Sequence, residues 1–576
     1  MNIKIRLLIL LLFSSVLLVH SQVPEFVKSI EGDNYYDFTE YNNKTYFISN
    51  NNDLWVTDGS TANTQMVTNL GTGFVYIEAV HQNKMYIDDT YNSLWISDGS
   101  QAGTKVLKTG FTRIFRKFIS VGNLLFFRAS TAETGDEWWV TDGTTSGTHI
   151  TKDINPGTAG QDTTTKYVVY KNKLYFYGYS EITGEIGGYD FWVSDGTAVG
   201  TYKIMEGNYA GSVLLNYGMI VYKDKIYFTF HEPANGVELW VSDGTISGTK
   251  HFKSCRSGNG SGWPQAFNIL DNKLLFVAYN ENDYSSHYLW STDGIEANTK
   301  PITKIRIIGD SSTEWIQYKN HLYFNGLDEK LGEELFVTDG TSTGTTILKD
   351  ISVGSSSSSP EKFTVVNDKL IFYAYDNING SELWVTNGTQ AGTQIVKDIY
   401  PGIKPSLNYD YIHTVGNKAY FIAKTGLNNF QLIESDATAA GTKVVLPLNA
   451  SITISPLGEG TFSNKLHYNF GALYFKANFN NDGKALYKLG TPILGIQSHV
   501  LKDQVLIYPN PTQDYLNIQN KSNKIIDKVI VTDLTGKKVL EQNNSSQLNV
   551  EKLAKGMYVL EVVVGENKET RKFIKE

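Results

Sequence analysis

The chain has 576 residues, of which 41% are hydrophobic, 19% charged and 13% aromatic, with 51 Gly and 35 Tyr; this excludes a disordered polymer and suits a twisted, turn-rich β protein. A formal net charge of −8 without basic clusters argues against nucleic acid and anionic membrane surfaces as partners. The single cysteine, Cys255, rules out an intrachain disulfide and a thiolate metal site, and its segment KHFKSCRSG reads as an outer strand and its turn.

In chain order, the first element is an address. Lys4 and Arg6 precede the apolar run Leu7 to Val19, and Val19-His20-Ser21 places tolerated residues where a signal peptidase reads. Residues 1–21 are therefore expected to be a signal peptide, with an N-terminal membrane anchor as the alternative. No stretch of the chain is long enough to span a bilayer comfortably, so the mature chain is expected to be exported with no membrane-spanning segment.

From residue 22 onward a repeat takes over. Copies of the stretch ELWVSDGTISGTK (238–250) align on Trp55, Trp95, Trp139, Trp192, Trp240, Trp290, Phe336 and Trp384, with a decayed copy at Ile433, at intervals of 40, 44, 53, 48, 50, 46, 48 and 49 residues. A period of this size with no helical pattern inside it signals a blade-by-blade β architecture. Within one period, YVVYKNKLYFYGY gives two strands around a tight polar corner, DFWVSDG a third and TYKIM a fourth, named a to d here; four strands per period make a propeller blade.

The a–b corner recurs as YKNKLYF (170–176), YKDKIYF (222–228) and YKNHLYF (318–324), where Asn, Asp and Gly tolerate positive φ. The c–d corner DGTxxGT reads as an Asx-type turn; the functional alternative is that Asp58 through Asp339 bind calcium, for which one carboxylate per turn is too few unless turns cooperate. The periodic Trp is expected at the joint between blades, and sugar stacking is the alternative use of the same rings.

The two ends of the repeat are misfits that fit each other. ALYKLG (485–490) lacks a following d strand, while the mature chain opens on an orphan one, Glu25 to Ile30. Pairing them leaves no open edge. The expected fold class is all-β: a many-bladed β-propeller of about ten four-stranded blades over residues 22–490, closed by its N-terminal strand. A smaller ring with extra edge blades, or two rings, are the competing layouts.

This strand order puts the a–b and c–d corners on one face and gathers the irregular b–c and d–a loops on the other, where binding residues tend to sit. Glu133, Asp136, Glu181, Glu185, Glu232 and Asp283 are the acids there that could serve a glycosidase, although each reads as a solvated loop residue. There is no HExxH, GxSxG or Walker loop, and no catalytic, cofactor-binding or metal-ligating residue is assigned. The leading expectation is a module that binds an extracellular glycan or protein; a polysaccharide-degrading enzyme is the alternative.

After a linker-like stretch at 491–504, residues 505–576 show about seven short alternating strands with Asn-Pro, Thr-Gly and Lys-Gly turns, which reads as a small Ig-like β-sandwich. Tyr508-Pro509-Asn510-Pro511, Leu516-Asn517-Ile518, the hairpin around Leu534-Thr535-Gly536-Lys537, Gly556-Met557-Tyr558 and Lys572-Phe573-Ile574-Lys575 together resemble the type A C-terminal sorting domain of the type IX secretion system. That resemblance implies the type IX secretion machinery as a partner through residues 505–576, and a final location outside a Gram-negative cell, released or on the outer-membrane surface. The repeats, at Glu238 to Thr245 and at Glu382 to Thr389 with Asn387 in place of the Asp, resemble the ELWxxDGT repeat family, which brings no assigned activity.

Overall fold

The computed structural model describes residues 24–490 except 31–34, 50, 72, 91, 158–165, 183–184, 208–217, 257–259, 281–282, 305–313, 407–411, 428, 446–465, 470 and 478–484, and residues 505–575 except 509–511, 513, 521–525, 534–536, 544–546 and 565–566. The expected signal peptide and linker, and parts of the sorting motifs, lie outside the described residues. Among the described residues there is no α-helix, and ten four-stranded antiparallel sheets precede residue 490. Sheets 1 to 9 span residues 35–69, 76–109, 113–150, 167–205, 219–253, 265–304, 315–349, 361–397 and 413–444, each pairing its strands in sequence order, like propeller blades. Sheet 10 is built from both ends: Glu25–Lys28 pairs with Ala485–Leu489, beyond which lie Ala472–Ala477 and His467–Asn469.

The repeat explains each corner. At the a–b corners of sheets 1, 2, 4, 5, 7 and 8 both central residues take positive φ, as at Lys171 and Asn172 or Lys223 and Asp224, which is the twist a two-residue hairpin needs. At the c–d corner of sheet 5, Asp243 Oδ1 accepts the Thr245 N–H at 2.9 Å and its hydroxyl at 2.7 Å, while Thr245 Oγ1 accepts the Gly248 N–H at 2.9 Å. Gly248 is required by space, because a Cβ there would lie 2.0 Å from the Asp243 carboxylate. Beside the strand-c aromatic of sheets 1, 2 and 4 to 8 the ladder to strand d slips by one residue, for example between Leu239 and Trp240; such a bulge sharpens the local twist.

Each sheet buries its face against the next. The cluster joining sheets 4 and 5 sets Phe191 and Tyr177 against Phe228, Phe230 and Trp240, and equivalent clusters join every consecutive pair from sheet 1 to sheet 10. Sheet 10 packs in the same way on sheet 1, through Val27, Tyr474 and Leu486 against Phe47. Trp240 is only 7% exposed, so the ring serves the joint and is closed to sugar stacking. Its Nε1 has no hydrogen-bond partner, nor have those of Trp55, Trp95, Trp139, Trp192 and Trp384, which explains why Phe336 can replace the indole.

Two polar ties reinforce these joints. The Tyr that ends strand a reaches the a–b corner of the next sheet: the Tyr170 hydroxyl donates to Asp224 O at 2.7 Å and that of Tyr318 to Asp368 O at 2.6 Å. A Lys on or just beyond strand d spans to the next c–d corner, as Lys349 Nζ does to Thr393 O at 2.7 Å and Lys28 Nζ to Thr64 O at 2.7 Å. These ammonium groups also lie over the next Trp, at 5.8 Å for Lys349 and Trp384, a favourable cation–π placement.

The tail forms two further sheets. One has three strands, Val505–Tyr508, Tyr515–Asn520 and Gln547–Asn549; the other has four, Lys538–Asn543, Lys528–Thr532, Gly556–Val564 and Asn567–Lys575. Both contribute to one core that includes Leu516, Ile518, Val529, Leu548, Leu560 and Phe573.

Candidate functional site

The first strands of the sheets lie side by side, for example residues 167–170 against 219–222, and those of sheets 10 and 1 do so as well. Their starts point towards the d–a loops, and three features converge there.

The first is the Glu two residues before the aromatic. Glu238 is fully buried in strand c, and its carboxylate accepts the N–H groups of Cys255 at 2.7 Å, Gly262 at 2.9 Å and Arg256 at 3.2 Å. Glu334 holds Ile351 N, Ser352 N and the Ser358 hydroxyl, Glu382 holds Ile399 N, Tyr400 N and the Ser406 hydroxyl, and Glu137 holds Ile154 N and Asn155 N. In each case one carboxylate anchors the loop between strand d and the next strand a. Burial pushes Glu137 and Glu238 up to about 8 and Glu382 to about 7, against the downward pull of these donors.

An acid whose folded pKa is raised binds more protons in the folded state, so its contribution is greatest below the unfolded pKa of roughly 4.3 and is lost as pH rises. For Glu238 that window closes near 8. Melting temperature is expected to fall between pH 5 and pH 9, and to fall less steeply in Glu238→Gln. Glu238→Ala strands three backbone donors and is expected to cost about 3 kcal/mol or more, read by denaturant unfolding.

The second feature is a charged cluster on sheets 1 to 3. Strand a bulges at Tyr36/Thr39, Ile77/Ala79 and Phe115/Ile119, turning Asp37, Glu78 and Arg116 together. Arg116 Nε bonds Glu78 at 3.0 Å and its Nη2 bonds Asp37 at 3.2 Å, while its guanidinium lies 3.6 Å from the Tyr76 ring centroid. Asp88, at the end of strand b, is fully buried. Its Oδ1 accepts the Thr90 N–H at 2.9 Å, and burial together with the Glu78 charge pushes it up to about 8.

The third is a cavity of about 420 Å³ between the first strands of sheets 3 to 7, lined by Lys117, Lys166, Tyr167, Met219, Phe267 and Trp315 among others. Lys117 Nζ lies 4.8 Å from the Tyr167 ring centroid. Its pKa is lowered first by burial, then by the like charges of Lys166 and Arg128.

Of the six acids singled out from the sequence, side chains are described for Glu133, Asp136 and Glu232. Glu133 is exposed. Asp136, expected to be a solvated loop residue, is instead a buried strand residue paired with Arg128, because adjacent strands place the two side by side. Glu181 falls inside a strand, and Glu185 and Asp283 each begin one, with side chains outside the described residues. Glu232 ends a strand and accepts from Asn235. Cys255 is buried, its thiol pushed well up. As for the turn Asp residues, Asn387 keeps the same geometry with a neutral amide, accepting Thr389 N–H at 3.0 Å and its hydroxyl at 2.8 Å; an oxygen acceptor suffices there. Among the described residues no group of three or more His, Cys, Asp or Glu is placed to hold a metal ion.

Residues 506–576 match the family model described as secretion system C-terminal sorting domain. The tail is a type IX sorting domain. The sorting domain indicates export to the cell surface or into the medium, and implies contact with the type IX machinery. No described helix is long and apolar enough to cross a membrane. Among curated proteins nothing matches the chain. Similar solved structures include the computationally designed protein Ika8 (12% identity, 71% of this chain and 98% of that one, TM-score 0.29). BamB from Moraxella catarrhalis is another (13%, 62% and 97%, TM-score 0.30), as is a puromycin hydrolase, of which the chain covers 58% (9% identity, 63% of this chain, TM-score 0.28).

Proposed function

We propose that residues 22–490 form a closed ten-bladed propeller that binds an extracellular glycan or protein at the mouth of its axial channel. Residues 1–21 serve as the signal peptide, 491–504 as a linker and 505–576 as an Ig-like sorting domain read by the type IX machinery. Ring closure is supported by the pairing of Glu25–Lys28 with Ala485–Leu489 and by the shared core of sheets 10 and 1. The binding reading is carried by one observation: a cavity with cationic and aromatic lining opens between strand starts, on the face where the irregular loops gather. Concave, partly apolar sites with a few convergent polar groups are the usual form of ligand sites.

Glycan arrays and pull-downs with the purified chain test this reading, alongside chains in which the d–a loops at 254–264 and 350–360 are replaced by Gly/Ser linkers of equal length. Binding that survives both replacements and a Trp315→Ala change would move the site off this face. The second reading, hydrolysis of a polysaccharide, is favoured by the juxtaposed Glu78 and Asp88 carboxyls. Glycan turnover abolished in both Glu78→Gln and Asp88→Asn would establish it, and the absence of turnover on polymeric glycans would remove it.

A further inference from the structure

We propose that Glu78 and Asp88 share one proton and that this proton is a latch. It holds the bulge in the first strand of sheet 2 that brings Glu78, Asp37 and Arg116 together across sheets 1 to 3, and its loss opens that bulge. The latch goes beyond the binding reading above and does not depend on it.

In strand Tyr76–His81 the ladder to Lys84–Asp88 pairs Tyr76 with Asp88 and Ile77 with Ile87, then Ala79 with Tyr86. Glu78 is the extra residue. Such a residue is left unpaired in the ladder, so the contacts of its side chain weigh heavily on where it sits. Its Oε1 accepts the Arg116 Nε–H from sheet 3 at 3.0 Å, and its carboxyl is hydrogen-bonded to that of Asp88. Ionised carboxylates only accept hydrogen bonds, so two of them in contact need a proton between them.

The surroundings decide which carboxyl carries that proton. Glu78 faces the guanidinium, which favours its charged form. Asp88 is fully buried; its Oδ1 accepts the Thr90 N–H at 2.9 Å, whereas its Oδ2 is buried and receives no donor among the described residues. A proton on Oδ2, donated to Glu78, satisfies both groups. The pair titrates as one unit.

The charged and titratable groups around the pair come from three sheets: Tyr76 on the same strand, Tyr36 and Asp37 from sheet 1, and Arg116 from sheet 3. Arg116 Nη2 also bonds Asp37 at 3.2 Å, and the Ile77 N–H donates to the Asp37 carboxylate, so the bulge is tied to sheet 1 as well. With the proton in place, one guanidinium faces two carboxylates. Without it the same guanidinium faces three, and the third is closed to water. Moving Glu78 outward relieves that repulsion and undoes the bulge. Burial and the Glu78 charge push Asp88 up to about 8, whereas an exposed Asp titrates at roughly 3.9. Opening therefore releases a proton and is favoured as pH rises between these values.

Two measurements on the purified chain test the latch. The first is the infrared carbonyl band of a protonated carboxylic acid, taken as the difference between the wild-type chain and Asp88→Asn. It is expected at about pH 6 and should vanish as pH rises past about 8. The second is amide hydrogen exchange in residues 76–81, corrected for the intrinsic pH dependence of exchange. The opening equilibrium should rise about tenfold per pH unit between about pH 6 and pH 8 and then level off, the slope for release of one proton. In Asp88→Asn the side-chain amide donates to Glu78 at every pH, so this slope should be lost. Should Asp88→Asn fail to fold, Glu78→Gln serves in its place: it removes the charge against which Asp88 ionises, and the band should vanish at lower pH than in the wild type. No Asp88-dependent band at about pH 6, an exchange slope as steep in Asp88→Asn as in the wild type, or a band whose pH dependence is unchanged in Glu78→Gln would each overturn the inference.

Discussion

Deleting residues 505–576 is expected to abolish surface display almost completely while leaving the repeat sheets folded. The sorting domain carries its own core, centred on Leu516, Val529, Leu548 and Phe573, and every residue of that cluster lies within the tail. The ten sheets of residues 24–490 likewise close their clusters among themselves. A domain with a separate core can be removed without opening the other. The readout is twofold: fractionation of the producing cells should find the truncated chain retained in the periplasm, and its melting transition should match that of the sheets in the full chain. Truncated protein arriving at the surface in normal amounts would show that export depends on something other than this tail.

Removing residues 24–30 is expected to have the largest effect on stability. Val27 and Ile30 are buried at 0% and 6% exposure, and the loss of two such side chains costs about 3–6 kcal/mol by area alone. Also lost are the ladder to Ala485–Leu489, the Lys28 tie to Thr64 O at 2.7 Å and the bond from the Tyr35 hydroxyl to Ile30 O at 3.0 Å. The deletion further turns Ala485–Leu489 into an open edge, which invites pairing with other chains. A markedly lower unfolding midpoint and concentration-dependent association in size-exclusion chromatography are expected, both reversed by adding a peptide of residues 22–34. A truncated chain that stays monomeric with an unchanged midpoint would mean that the N-terminal strand is not what closes the assembly.

Much of the fold was legible because its signals are local and repeated. The YKNK and YKDK corners, the apolar strand pairs and the DGTxxGT turn each act over a few residues, and repetition lets one well-formed copy identify a decayed one such as Ile433. The pairing of the two chain ends was legible by elimination, since one blade lacked a strand and one strand lacked a blade. The site was not. Asp37, Glu78 and Arg116 come from three sheets and meet only because three bulges turn them the same way, and no local pattern announces a bulge in an inner strand. The loop anchor was missed for a different reason. Glu137, Glu238, Glu334 and Glu382 recur two residues before the aromatic, inside otherwise apolar strands, and a charge repeated in that position is itself the signal of a buried partner. The motif therefore does reach the variable face: its Trp closes the joint and its Asp the corner, while its Glu sets where the irregular loops begin.

The composite sheet also decides how the molecule bears load. The chain leaves the sheets at Leu489, at the end of a strand flanked on one side by Ala472–Ala477 and on the other by Glu25–Lys28. A pull transmitted along this strand from its C-terminal side must shear two rows of backbone hydrogen bonds together. Were the same strand at an edge, a single row would resist. The strand Glu25–Lys28 acts as a splint along the strand that carries the load.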